Sequence, residues 1–307
     1  MGNIMGIEKC DPSPSISKDF EYINGNKHRA IYVYHMPVDN NRTFDYLAKV
    51  TPQNTQDDEM YDDYEKTGPT IESMVYHTIT SKHICPLIYA CDETNVFKHT
   101  IHIRNKEIFL DFSEWRDEYA SSCDTFSIIV VRKYRTYHII DDNINVYSSQ
   151  DLEQIFIHTM KCIHVLNLKY EFVHGDLKTD NIVVNKHKDV KIIDFDGSKL
   201  GKYYSENIAH FDNGEILTDI SLQDGFLFDF YRLYSSIYIW DDTNLFRKSD
   251  ITLINDINYI LDKHILNTTD STNDQKNNIF NNAEYFNEWK LRVTYDQVIH
   301  FIYMTGL

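Results

Sequence analysis

Two neighbouring stretches concentrate the side chains that polar chemistry needs. Phe172-Val173-His174-Gly175-Asp176-Leu177-Lys178-Thr179-Asp180-Asn181-Ile182-Val183-Val184 is followed by Val190-Lys191-Ile192-Ile193-Asp194-Phe195-Asp196-Gly197. The apolar runs 181–184 and 190–193 read as short strands joined by the charged turn Lys186 to Asp189. A hairpin there brings Asp176, Lys178, Asn181 and Asp194 to one mouth. These residue types suit phosphoryl transfer. Asp176 can orient an attacking hydroxyl and accept its proton. Lys178 places a cation beside the transferring phosphate oxygens. Asn181 and Asp194 offer the hard oxygen atoms that Mg²⁺ prefers. A loose transition state leaves positioning and charge neutralisation as most of the catalyst's work.

The elements that would position this mouth are legible in outline. Leu152, Ile155, Thr159, Cys162, Ile163 and Leu166 recur at helical spacing from Asp151 onward. Ile71, Met74, Val75 and Ile79 predict a second amphipathic helix opening after Gly68-Pro69-Thr70. Ala30 to Tyr34 and Phe44 to Val50 read as strands flanking the turn-prone Asp39-Asn40-Asn41, and Ile128 to Val131 reads as a buried strand. After Phe226 the pattern is mostly helical. The acidic run between Asp57 and Glu65 and the polar stretch near 267–282 read as exposed loops. The expectation is an α+β chain: an irregular arm over 1–18, a strand-rich lobe over 19–131 with one main helix, and a mostly helical lobe over 132–307.

His174-Gly175-Asp176-Leu177-Lys178-Thr179-Asp180-Asn181 resembles the H-R-D-L-x-x-x-N catalytic loop of eukaryotic-type Ser/Thr protein kinases, and Asp194-Phe195-Asp196 resembles their D-F-G. The resemblance implies the bilobal kinase fold with a β-rich N-lobe. It implies Asp176 as catalytic base, Lys178 as catalytic-loop lysine, and Asn181 and Asp194 as metal ligands. Tyr46-Leu47-Ala48-Lys49 looks like the family's V-A-I-K, so Lys49 would hold the α- and β-phosphates, with Glu72 as its helical partner. Asp229 resembles the buried aspartate that braces the catalytic loop, with the backbone N–H groups of the 174–176 turn as its donors. Val131 and Lys133 fall where the family contacts adenine, and Gly25 lies in the phosphate-loop turn. The implied cofactors are ATP and Mg²⁺, with Mn²⁺ as a substitute. The implied partner is a protein substrate carrying Ser or Thr.

The chain departs from the family at four points. The phosphate loop carries Asn24, Asn26 and Arg29 at the family's glycine positions, leaving Gly25; asparagine tolerates positive φ, so a tight turn survives. Gly175 replaces the arginine that pairs with a phosphorylated activation loop, so phosphorylation near Tyr203, Tyr204 or Ser205 is expected to matter little. Asp196 replaces the last residue of D-F-G. No A-P-E occurs, although Glu215 lies in the right neighbourhood. His-Gly-Asp also occurs in small-molecule kinases of the superfamily, and the degenerate loop suits a pseudokinase scaffold. These are the competing readings. Divergent kinases of this kind resemble those of large DNA viruses and bacterial effectors.

Composition narrows the rest. With 307 residues, 22 Tyr and 17 Phe, the chain has the apolar surface that disordered chains lack. Its net charge of −17 disfavours nucleic acid. The charge suits either a basic protein partner or simple solubility. Five scattered cysteines without a CxxC suggest reduced thiols and a cytoplasmic setting, in a host cell or virion for a viral protein. No apolar run is long enough to span a bilayer, so membrane association would need myristoylation at Gly2, where Gly6 stands in place of the preferred Ser or Thr.

Overall fold

The computed structural model describes residues 19–27, 29–39, 42–53, 71–79, 87–91, 98–103, 105–123, 125–133, 136–140, 144, 146–204, 220–240, 252–265 and 283–304. The expected arm, the acidic run, Ser205, Glu215, the polar 267–282 stretch and Gly2 lie outside these residues. The chain divides into two compact units, 1–68 with 87–133 and 69–86 with 134–307. Among the described residues no helix is long and apolar enough to cross a membrane.

The first unit is built on an antiparallel five-stranded sheet. Its strands are β1 (Glu21–Asn26), β2 (Arg29–Asp39), β3 (Arg42–Gln53), β4 (Leu87–Cys91) and β7 (Thr125–Lys133), in the order β1-β2-β3-β7-β4. Alternation puts Ala30 and Tyr32 of β2, Ala48 and Val50 of β3, and Phe126, Ile128 and Val130 of β7 into one buried cluster. The hairpin β5 (Lys98–Ile103) and β6 (Lys106–Asp111) and the short helix α2 (Ser113–Tyr119) follow β4 and precede β7. They join the same cluster through Ile101, Ile103, Ile108, Leu110, Phe112 and Trp115.

The second unit contains α1 (Ile71–Ile79), α3 (Ser149–Tyr170), α4 (Leu222–Trp240), α5 (Thr252–Ile265), α6 (Ala283–Lys290) and α7 (Tyr295–Met304). Short strands thread between them: β8 (Tyr137–Ile139), β9 (Phe172–Val173), β10 (Ile182–Asn185), β11 (Val190–Ile192), β12 (Lys199–Leu200) and β13 (Tyr203–Tyr204). Helix α1 groups with this unit rather than with the strand-rich one, because Ile71 and Val75 share a buried cluster with Phe195 and Leu200. The division therefore falls after Lys133 and takes α1 out of the lobe to which the sequence pattern assigned it.

Helix α3 starts at a capping box: Ser148 Oγ accepts from Asp151 N at 3.2 Å, and the Asp151 carboxylate accepts from Ser148 N at 3.1 Å. It ends where Glu171 turns left-handed at φ 52° and Gly201 N donates to Glu171 O. The chain then enters β9 and the 174–181 loop directly. Helix α4 is buried on nearly every side, with Phe226, Phe228, Phe230, Tyr231, Leu233, Tyr234 and Ile237 all in the core. It lies so close to β9 that a Cβ on Gly225 would sit 2.4 Å from Val173 Cγ2. Valine has few rotamers to offer in escape. Gly225→Ala is therefore expected to destabilise the fold by about 1–3 kcal/mol, read as a lower denaturant midpoint. An unchanged midpoint would refute the close approach.

Candidate active site

The 174–181 loop hangs from α4. Asp229 accepts two backbone hydrogen bonds, from His174 N at 2.8 Å and Gly175 N at 2.9 Å. The aspartate is fully buried, and these are the donors expected for it. Gly175 itself has φ 76°, a left-handed conformation that a side chain would strain. Burial pushes the Asp229 carboxyl up to about 7, while the two N–H groups and the Arg232 guanidinium pull the other way. His174 is also buried, which holds its pKa below the ordinary imidazole value. The neutral ring accepts from Asp176 N at Nδ1 (3.3 Å) and donates from Nε2 to Ile193 O (3.2 Å). Ser198 Oγ donates to His174 O at 3.0 Å. The loop is thereby tied to the strand end that carries Asp194.

Asp176 is surrounded by donors. Arg232 bonds its Oδ1. Lys178 Nζ lies 3.0 Å from Oδ2, and Asn181 Nδ2 donates to Oδ2 at 3.2 Å and to the Asp176 carbonyl at 2.8 Å. The structure thus brings Asp176, Lys178 and Asn181 together. Arg232 was missed in the sequence, as was Ser236, whose Oγ accepts from Thr179 N at 3.2 Å. A signal for both existed. Asp229, Arg232 and Ser236 follow the i, i+3, i+7 spacing of one helix face, a polar stripe on an otherwise apolar helix.

Asp194 has φ 62°, a conformation unusual for a residue other than glycine and found preferentially at functional sites. Its carboxylate gathers with those of Glu72 and Asp196, with one oxygen of each within 4.8 Å of the others. Glu72 is buried. Tyr76, one turn on in α1, packs edge-on against Phe195 at 5.1 Å. Burial, reinforced by the Glu72, Asp194 and Asp196 carboxylates, raises the Tyr76 pKa well above its usual value. The donor chemistry of the trio, hard carboxylate oxygens, fits a divalent cation. Asp196, at the departure from D-F-G, therefore adds a carboxylate where the family has none.

In the first unit, Lys49 sits in the middle of β3, opposite Ile31 on one side and Ile129 on the other. Pairing of β7 with β4 ends at Val130 opposite Leu87, so Val131 to Lys133 continue against β3 alone among the described strands. The β1–β2 turn closes without positive φ at either asparagine among the described residues. Asn26 acts instead through its side chain, Oδ1 accepting from Arg29 N at 3.1 Å. Gly25 is needed for closeness: a Cβ there would meet Arg29 O and Tyr22 Oη at 2.9 Å and Trp115 Nε1 at 3.0 Å.

A β-sheet unit, a helical unit and a buried helix that suspends a polar loop define a protein kinase-like fold. A family model described as the haspin-like kinase domain matches residues 99–287, more than half of the chain, and the chain belongs to that family. It is an atypical eukaryotic protein kinase-like family, for which ATP and a divalent metal ion are the general requirements. The matched residues include the 174–181 loop, Asp194 and α4, whereas Gly25, Lys49 and Glu72 precede them. No curated protein matches the chain.

Proposed function

We propose that the chain transfers the γ-phosphoryl group of ATP to a Ser or Thr hydroxyl of a protein. The observation that carries this reading is the environment of Asp176, a carboxylate whose Oδ1 is taken by Arg232 while Oδ2 lies beside Lys178 and Asn181. Oδ2 orients the acceptor hydroxyl and takes its proton, and Lys178 shares its charge with the phosphoryl oxygens during transfer. Asn181 and Asp194 are the proposed metal ligands, with Asp196 adjoining. Mg²⁺ bound there would neutralise phosphate oxygens and hold them in line. Lys49 is assigned to the α- and β-phosphates, Glu72 to orienting it, Gly25 to the phosphate-loop turn, and the Val131 and Lys133 backbone to adenine. Lysine two residues after the base favours a protein acceptor over a small-molecule one.

The test is transfer of labelled γ-phosphate from Mg-ATP to a mixed basic protein substrate by wild type and Asp194→Ala. The wild type is expected to label protein, and Asp194→Ala to lower the rate by roughly 10²–10⁴. A near-normal rate in the variant would remove Asp194 from the metal site. ATP turnover only with a small acceptor would point to a small-molecule kinase, and no turnover at all to a binding module.

A further inference from the structure

Lys178 stands at the N-cap of the short 3₁₀ turn Thr179–Asn181. Serine, threonine, aspartate and asparagine suit a cap position, because their side chains accept the free N–H groups at the start of a turn. A lysine ammonium has only donors to offer, and its side chain makes no capping bond here. Thr179 is 2% exposed, so water is no substitute acceptor for its N–H. The acceptor comes from another element. Thr179 N donates to Ser236 Oγ of α4 at 3.2 Å. Ser236 is also buried, and its own O–H donates back to Leu233 O at 2.9 Å. With the proton committed to the helix, the lone pairs of Oγ are left for the loop. The position therefore uses a hydroxyl as donor and acceptor at once.

The turn that Ser236 holds carries two of the side chains that meet on Asp176. Asn181 N closes the turn on Lys178 O at 3.0 Å. Lys178 Nζ and Asn181 Nδ2 then reach Asp176 Oδ2 at 3.0 and 3.2 Å. Asp229 ties the loop at residues 174 and 175, on the entry side of Asp176, and Ser236 ties it at 179, on the exit side. We infer that Ser236 is a positioning residue: its hydroxyl caps the 3₁₀ turn from α4 and so sets where Lys178 and Asn181 stand against Asp176. A lysine can thus occupy the cap position without leaving the turn uncapped. The hydroxyl touches no reacting atom, and its effect on rate rests on the phosphoryl-transfer reading.

The test compares wild type with Ser236→Ala, Ser236→Cys and the control Ser235→Ala. Ser235 is equally buried at the next position of α4, and its Oγ makes no hydrogen bond to the loop. Exchange of the Thr179 amide, followed by NMR, is expected to speed up about tenfold or more in Ser236→Ala and to stay within about twofold in Ser235→Ala. The kcat of Ser236→Ala is expected to fall about 5–50-fold with KM for ATP within about threefold, while Ser235→Ala leaves both within about twofold. Ser236→Cys nearly keeps the volume with a poorer donor and acceptor, so it should fall between wild type and Ser236→Ala. Thermal midpoints confirm that each variant is folded. Unchanged Thr179 exchange in Ser236→Ala, or equal effects in Ser235→Ala, overturns the cap. Faster exchange with unchanged kcat, or wild-type rates in Ser236→Cys, overturns the positioning role. No transfer by wild type would strike the phosphoryl-transfer reading instead. The placement is then decided by the Asn181 side-chain amide signals, which Ser236→Ala should shift; signals that stay in place overturn it.

Discussion

Asp176→Asn is expected to lower phosphate transfer by about 10²–10⁴ while leaving ATP affinity within about threefold of wild type, if Asp176 is the base as proposed. The amide keeps the shape and can still accept from Arg232, but it cannot take a proton from the acceptor hydroxyl. Stability falls as well. Arg232 is 4% exposed and loses one of its carboxylate neighbours, although Asp229 still stands nearby. That loss is expected to cost about 1–2 kcal/mol, a drop of a few °C in thermal midpoint. Single-turnover transfer measured well below that midpoint separates the two effects. Asp180→Asn is the control, since Asp180 is an exposed carboxylate in the same loop. A rate for Asp176→Asn close to that of Asp180→Asn would remove Asp176 as the base.

The loop around Asp176 was legible because its information is local: eight consecutive residues carry the aspartate, lysine and asparagine that the structure brings together. Asp229 was legible for a different reason. A carboxylate inside a run of aromatics needs donors, and a loop of polar backbone supplies them. Strands β2 and β3 were readable from short apolar and aromatic runs flanking a turn-prone stretch. Arg232 was not read, because an arginine inside a helical pattern looks like a solvated residue until the helix proves to be buried all round. The meeting of Glu72 with Asp194 and Asp196 joins residues far apart in the chain, and no period records such a contact. The β5–β6 hairpin was readable in principle. Ile101 and Ile103 alternate before Asn105, which takes the left-handed φ of a turn, and Ile108 and Leu110 alternate after it. The β1–β2 turn shows a local rule applied through the wrong atom: Asn26 suits the turn through its Oδ1 rather than through positive φ.

Arg232→Met is expected to lower the transfer rate by about 10–10²-fold with little change in ATP affinity, and Arg232→Lys to recover part of the loss. The physical reason is division of labour on one carboxylate. With Arg232 on Oδ1, the Asp176 side chain is held in one rotamer and Oδ2 is left for the acceptor. Without it the carboxylate rotates, and Lys178 and Asn181 alone do not fix which oxygen faces the hydroxyl. Removal also strips Asp229 of the cation that opposes its burial. The sign of the pH effect follows. In the folded wild type the Asp229 carboxyl holds its proton up to about 7, whereas in the unfolded chain it releases it near 4, so Asp229 makes stability fall as pH rises through that window. Loss of Arg232 deepens that fall, because its guanidinium is the cation that holds the Asp229 carboxyl down. The stability deficit of Arg232→Met should therefore be largest above about pH 8, at roughly 2–3 kcal/mol, and shrink towards about pH 4. It stays below the usual figure for a fully buried pair because Asp176 is one-third exposed. Denaturant midpoints across pH read the stability effect, and the split between kcat and KM reads the positioning effect. A guanidinium that merely fills space would give a deficit independent of pH and no recovery with lysine.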